Sequence, residues 1–255
     1  MRDAPKSDNS GRVRVGIGGW VFPPWRGTFY PKGLRQAEEL AYASRQVTAI
    51  EINGTFYGLQ KPASYRRWHD ETPDDFVFSL KGPRFITHRN DLATAAPYFE
   101  RFFASGLAEL GDKLGPILWQ FMPSLRFDEA AFAAFLEALP TALDGRHLRH
   151  VVEVRHESFA DPAFSALLRR HRVALAQVDD AKYPGSDADT ADFVYARLRR
   201  CAADEPEGYP PDALDAFAQR FRDHAAEGRD CFVYFINGAK LRAPAAAQAL
   251  IRRLG

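Results

Sequence analysis

Short apolar runs recur along the chain, and near the end of each a polar or charged residue takes every second place. Ala49-Ile-Glu51-Ile-Asn53, Phe78-Ser79-Leu-Lys81, Leu118-Trp-Gln120-Phe121, Val151-Val-Glu153-Val-Arg155-His156, Ala176-Gln177-Val-Asp179, Tyr195-Ala-Arg197-Leu-Arg199 and Tyr234-Phe-Ile-Asn237 all follow this pattern. Strand side chains alternate faces with period two, so one face of each run stays apolar while the other turns polar toward its carboxyl end. A buried charge is costly unless it is paired, hydrogen-bonded or used. A repeated set of such strand ends therefore points to a site.

The apolar runs predict strands over 13–18, 49–53, 76–81, 117–121, 150–154, 173–179, 192–198 and 231–236. Helical spacing of apolar residues predicts helices over 33–45, 63–71, 97–111, 129–139, 162–171, 212–227 and 245–254. The segment Phe22-Pro23-Pro24-Trp25 is expected to be a non-helical aromatic loop, because its prolines oppose a helix. Connection 180–191 reads as too short and polar for a full helix.

Alternating strands and helices call for a parallel sheet covered on both faces. Eight units with no linker-like break favour closure, so the expected fold is α/β, a single (β/α)8 TIM-type barrel over 12–255 with one irregular or missing helix. Residues 1–11 are expected to be a disordered lead-in. Ligands of such barrels bind at the carboxyl ends of the strands, where the polar alternation lies.

Composition narrows the partners. The 255 residues are 46% hydrophobic, include 20 Phe and carry a formal charge of +1, so a large core is available and no global field steers the protein to nucleic acid or a membrane surface. No apolar stretch approaches the roughly 18–20 residues of a membrane span, and the opening Met-Arg-Asp-Ala-Pro-Lys is polar. Cys201 and Cys231 sit in no metal or redox spacing and suit a reducing compartment. Cytoplasmic location and no membrane partner are the expectations.

Among the strand-end residues, Glu51 and Glu153 are candidates for acid/base catalysis, with structural pairing to Lys81, Arg155 or Arg197 as the alternative. Lys81, Arg155 and Arg197, with Arg199 as a further candidate, and with Asn53, Gln120 and Asn237, suit a phosphate or carboxylate, charge balance for Glu51, Glu153 and Asp179 being the alternative. Asp179 joins this substrate-binding set, as does Tyr57 from an aromatic group that also holds Trp20, Phe22, Trp25, Phe29, Tyr30 and Phe56 and is expected to roof the mouth. His88 is the preferred proton-transfer histidine. His156 is a second candidate whose phase sets it opposite Glu153 unless the strand has ended. Metal ligands would have to come from separate strands, since no His-x-His or His-Glu-x-x-His occurs. The cofactor is left open, with a divalent metal the disfavoured case.

The chain resembles the DUF72, or YecE-like, family. The resemblance rests on Gly16-Ile-Gly-Gly-Trp20, Tyr30-Pro31, Glu51-Ile-Asn53-Gly-Thr55-Phe56-Tyr57, Trp68 with Thr72-Pro73, Lys81-Gly82-Pro83 and Ile86-Thr87-His88. It continues through Leu114-Gly115-Pro116, Trp119-Gln120-Phe121, Val152-Glu153-Val154-Arg155-His156, Ala196-Arg197-Leu198, Tyr234-Phe235 and Ala243-Pro244. It implies a TIM barrel of undetermined biochemical role. The family's His-Gly after strand seven is Arg199-Arg200 here, its Asn-Asn after strand eight is Ile236-Asn237, and an Asn of the last helix is Ala246.

Three functions fit this reading. The first is an enzyme, a hydrolase, lyase or isomerase, acting on a small anionic, phosphorylated or sugar-like substrate by carboxylate acid/base chemistry. The second is a nucleic-acid-binding or -processing barrel, and the third a non-catalytic anion-binding protein. The sequence leaves the oligomeric state open.

Overall fold

A computed structural model describes residues 10–89, 91–180, 182 and 188–255. Apart from a two-stranded antiparallel pair, Ala142–Leu143 with Arg146–His147, its strands form one sheet: β1 (Val13–Gly18), β2 (Ala49–Ile52), β3 (Val77–Lys81), β4 (Leu114–Gln120), β5 (His150–Glu153), β6 in two pieces (Ala174–Leu175 and Gln177–Asp179), β7 (Phe193–Leu198) and β8 (Asp230–Phe235). All pair in parallel, β1 with both β2 and β8. The first piece of β6 pairs with β5 and the second with β7, and the Ala176 N–H between them donates to Val152 O at 2.9 Å. Strand six thus hands its pairing from one neighbour to the other, which closes the sheet into the expected TIM-type barrel.

Residues facing the helices form the larger core. Val15, Ile17, Ile50, Ile52, Phe78, Leu80, Trp119 and Val152 lie there. The alternate residues, among them Ala49, Leu118, Val151, Ala174, Ala176, Phe193, Tyr195, Phe232 and Tyr234, fill the barrel interior. Small side chains on some strands make room for large ones on others, so the interior is packed rather than hollow.

The longer expected helices are shortened by local chemistry. The first begins with a 3-10 turn, Gln36–Glu38, before Glu39–Ala43, because the Glu38 carboxylate accepts the Arg35 backbone N–H and caps the start there. The helix expected over 97–111 is Ala96–Phe103 followed by a 3-10 stretch, Leu107–Lys113. Gly106 separates them at φ 110°, where a side chain is strained. Pro23–Trp25, expected to be non-helical, forms one 3-10 turn, since prolines at its start have no N–H to leave unpaired. Between β6 and β7 none of the described residues is helical, and much of that connection lies outside the described residues. So do residues 1–9 of the expected lead-in, whereas the Gly11 N–H donates to Ala225 O at 2.8 Å. No helix among the described residues is long and apolar enough to cross a membrane.

Gly82 fixes the exit of β3. Its N–H donates to Leu118 O at 2.8 Å, and a Cβ built on it would stand 2.3 Å from Trp119 Cε3. Gly82→Ala is therefore expected to cost about 2–3 kcal/mol by overpacking against a buried indole. Chemical denaturation reads this, and a cost under about 0.5 kcal/mol would mean that the indole has room to shift.

Candidate functional site

Residues two positions beyond the interior layer carry the charge. Glu51 follows Ala49, Lys81 follows Ser79, Gln120 follows Leu118, Glu153 follows Val151 and Arg197 follows Tyr195, each on the inward face. Register sets Gln120 beside Glu153, while Lys81 lies opposite Leu118 and Glu51 opposite Ser79.

Arg197 is the centre of this layer and is 2% exposed. Its Nε and Nη2 donate to the two oxygens of Glu51, both at 3.0 Å, and its Nη1 donates to Glu153 Oε2. The Tyr195 hydroxyl donates to Glu51 Oε2 at 2.7 Å. Glu153 Oε1 accepts from Gln120 Nε2 at 2.8 Å and Arg155 Nε at 2.9 Å. All four carboxylate oxygens are thus occupied by donors. Burial alone would raise the Glu153 carboxyl, but the Arg197 and Arg155 guanidiniums outweigh it and hold it at about 2. Arg197 loses stabilisation of its charge by burial and regains more from Glu153 and Glu51, so it stays a cation.

Above this layer opens a cavity of about 700 Å³ at the carboxyl ends of the strands. Lys81, Arg155, Arg197, Arg199 and Lys240 line it, with the amides of Asn53, Gln60, Gln120 and Asn237. Among the described residues no carboxylate lines it. Asn237 holds a left-handed backbone, φ 66°, which asparagine tolerates. With its amide oxygen turned inward it accepts from Arg199 Nε at 3.1 Å and Nη2 at 2.9 Å. Arg199 Nη1 also lies 2.8 Å from Asp180 Oδ2. Lys81 is 8% exposed, and its Nζ sits 3.8 Å from the centroid of the Phe56 ring. Burial first, then the Arg197 charge, lowers its ammonium from 10.5 to about 8 against the opposing pull of Glu51 and Glu153.

The structure gathers Asn53, Tyr57, Lys81, Gln120, Arg155, Arg197 and Asn237 at the cavity, with Glu51 and Glu153 sealed in the layer beneath. Three expected residues lie elsewhere. Asp179 faces outward, because Ala174 and Ala176 take the inward phase of β6; it accepts from the Tyr209 hydroxyl at 2.8 Å in a separate cavity of about 380 Å³. His156 comes after β5 has ended and caps a 3-10 turn, Glu157–Ala160, its Nδ1 accepting the Ser158 N–H at 3.1 Å. His88 ends the short helix Arg84–Thr87 as an exposed ring edge-on to Phe56, and burial with the nearby Lys81 charge lowers its pKa.

The aromatic roof is divided. Trp20 and Tyr57 line the cavity, whereas Tyr30, wholly buried, packs with Phe29 and Tyr42 and donates its hydroxyl to Trp20 O. Sequence reasoning missed three contributors. Tyr195 shares the period-two phase of Arg197 and was open to detection on that ground. Lys240 and Gln60 stand in connections where no periodicity applies. Among the described residues no three His, Cys, Asp or Glu side chains are grouped to hold a metal ion.

Comparison with known proteins agrees with this architecture. A family model described as "Protein of unknown function DUF72" matches residues 14–255. The UPF0759 protein YecE of Escherichia coli strain K12 is 32% identical over 127 residues, a match covering 44% of this chain and 44% of that protein. The match thus spans under half the length of that relative. A DUF72 family protein of Thermotoga maritima superimposes with a TM-score of 0.70 at 23% identity, covering 94% of this chain and 97% of that one. A Parabacteroides distasonis protein described as a sugar phosphate isomerase/epimerase shares the fold at a TM-score of 0.53 and 12% identity, covering 98% and 97%.

Proposed function

The chain belongs to the DUF72 family, and from that premise we propose that its barrel binds a small, multiply charged anion, phosphorylated or polycarboxylate, as a substrate at the carboxyl mouth. One observation carries the reading: every charged side chain lining the cavity among the described residues is a cation. Arg155, Arg197 and Arg199 supply planar donor groups, which match phosphate and carboxylate oxygens through charge-assisted hydrogen bonds. Glu51 and Glu153 serve the site by fixing Arg197, since their oxygens are already occupied and Glu153 is held strongly ionised. The barrel shared with a protein described as a sugar phosphate isomerase/epimerase is compatible with a phosphorylated sugar. A cavity of about 700 Å³ with its cations recessed suits a small molecule better than a polymer backbone.

The test is the melting temperature against inorganic phosphate, pyrophosphate, citrate, sugar phosphates and a short oligonucleotide, with Arg155→Ala as control. A ligand at 100 times its Kd should add about 2.7 kcal/mol, or roughly 5–10 °C for a chain of this size. The expected result is a shift from one class of small anion that shrinks in the variant. No shift from any anion, or an equal shift in the variant, rejects the site; a shift from the oligonucleotide alone favours nucleic-acid binding.

A further inference from the structure

Among the described residues two lysines are buried, and they are used differently. Lys113, 4% exposed, donates its ammonium to Thr72 O at 2.8 Å, Thr72 Oγ1 at 3.3 Å and His69 O. Its protons are committed to two carbonyls and a hydroxyl, as a structural lysine requires. Lys81 is nearly as buried, yet its Nζ rests on the face of Phe56, and among the described residues it donates to no oxygen and forms no ion pair. Its main chain is fixed, the Lys81 carbonyl accepting from Thr55 Oγ1 at 2.7 Å, and its amine borders the cationic cavity.

We propose that Lys81 is a nucleophilic amine that condenses with the carbonyl carbon of an anionic aldehyde or ketone whose charged group is held by Arg155, Arg197 and Arg199. The inference rests on the anion site argued above and names its substrate class as carbonyl-bearing anions. In the reaction the ammonium first gives a proton to solvent. The Nζ lone pair then forms the C–N bond as the C=O π pair moves to oxygen, and a proton passes from nitrogen to that oxygen. The solvent returns its proton to the hydroxyl, which leaves as water when nitrogen's lone pair forms the C=N bond. One ammonium and one carbonyl give one protonated imine and one water, with charge conserved and no oxidant or reductant consumed.

The surroundings suit each step. The groups that set the charge around Lys81 are Arg197 on β7 and Arg155 beyond β5, which oppose its proton, and Glu51 on β2 and Glu153 on β5, which favour it; His88 is near enough for the Lys81 charge to lower its pKa. An ammonium lowered to about 8 holds, at pH 7, on the order of 300-fold more neutral amine than a lysine at 10.5. The Phe56 face holds the ammonium by a cation–π contact that favours its charged form, against burial and the Arg197 charge, and takes no part of the lone pair once the amine is neutral.

The test incubates the full chain with glyoxylate, pyruvate or glyceraldehyde 3-phosphate and sodium cyanoborohydride, which reduces an imine to a stable amine. Intact mass counts the adducts and peptide mapping places them. Melting shifts are measured in parallel with the carbonyl-free glycolate, lactate and glycerol 3-phosphate. The expected result is one adduct on Lys81, at least about tenfold above labelling of the exposed Lys32 and Lys61, suppressed by inorganic phosphate and absent from a folded Lys81→Arg protein. If that variant does not fold, the wild-type peptide map still decides. No adduct, or labelling spread evenly over lysines, overturns the inference. If the carbonyl-free anions still raise the melting temperature, the anion site survives that failure; if they do not, both readings fall.

Discussion

Replacing Arg197 by Met is expected to lower the melting temperature by about 10–15 °C. The side chain neutralises two carboxylates that are 0% and 1% exposed, so its loss strands buried charge. Breaking a buried ion pair in this way costs about 3–5 kcal/mol, because the remaining charge keeps its desolvation penalty without its partner. The two carboxylates are not equally hurt. Among the described residues, Glu153 keeps Gln120 and Arg155 as donors, whereas Glu51 keeps only the Tyr195 hydroxyl. Adding Glu51→Gln to the Met variant should therefore recover more stability than adding Glu153→Gln, and thermal unfolding of the three proteins measures the difference. A Met variant melting within about 1 °C of the parent would mean that Arg197 is not the keystone of the charged layer.

That layer was legible in the sequence because the barrel enforces a rigid alternation. Glu51, Lys81, Gln120, Glu153 and Arg197 each sit two residues beyond an inward apolar or small residue, and the strand register does the rest. Asp179 shows where alternation stops being enough. The sequence shows that Gln177 and Asp179 share a face, but not which face looks inward, and the phase of β6 puts both outside, Gln177 against Arg220 and Asp179 against Tyr209. His156 meets the exception stated for it: β5 ends at Glu153, and beyond a strand end the phase rule no longer governs where a side chain goes. Lys240 opens a 3-10 turn, Lys240–Arg242, after β8, and its arrival at the cavity depends on a tertiary approach in which the Trp25 indole N–H donates to the Lys240 carbonyl at 3.0 Å. No local pattern encodes that contact.

The alternation also could not say which charged groups are spent on one another. Sequence gave Glu51 and Glu153 as acid/base candidates and Lys81 as one of several cations. Geometry reverses the emphasis: the carboxylates have every oxygen occupied, while the Lys81 ammonium lies on a ring. A buried cation whose ring contact replaces no hydrogen-bond acceptor costs stability, and such a cost persists where function requires it.

Lys81→Met should consequently raise the stability of the free protein at pH 7, by about 2 kcal/mol or roughly 5 °C in melting temperature. The folded protein holds the Lys81 ammonium at about 8, below the 10.5 of an unperturbed lysine, so folding opposes its proton. Below about pH 8 both states carry the proton and the folded state bears the full penalty, on the order of 3 kcal/mol before the slightly poorer fit of a thioether is deducted. Between about 8 and 10.5 the folded state releases the proton while the unfolded state keeps it, so the stability of the parent rises with pH across that window. The advantage of the Met variant should accordingly be largest at neutral pH, shrink through this range and vanish above it. Urea unfolding of both proteins at pH 7, 9 and 10.5 supplies the comparison. A Met variant less stable than the parent at pH 7 would make Lys81 a structural counter-charge to Glu51 and Glu153. A gain that disappears on alkalinisation would mark a lysine held in an unfavourable state for the ligand it meets.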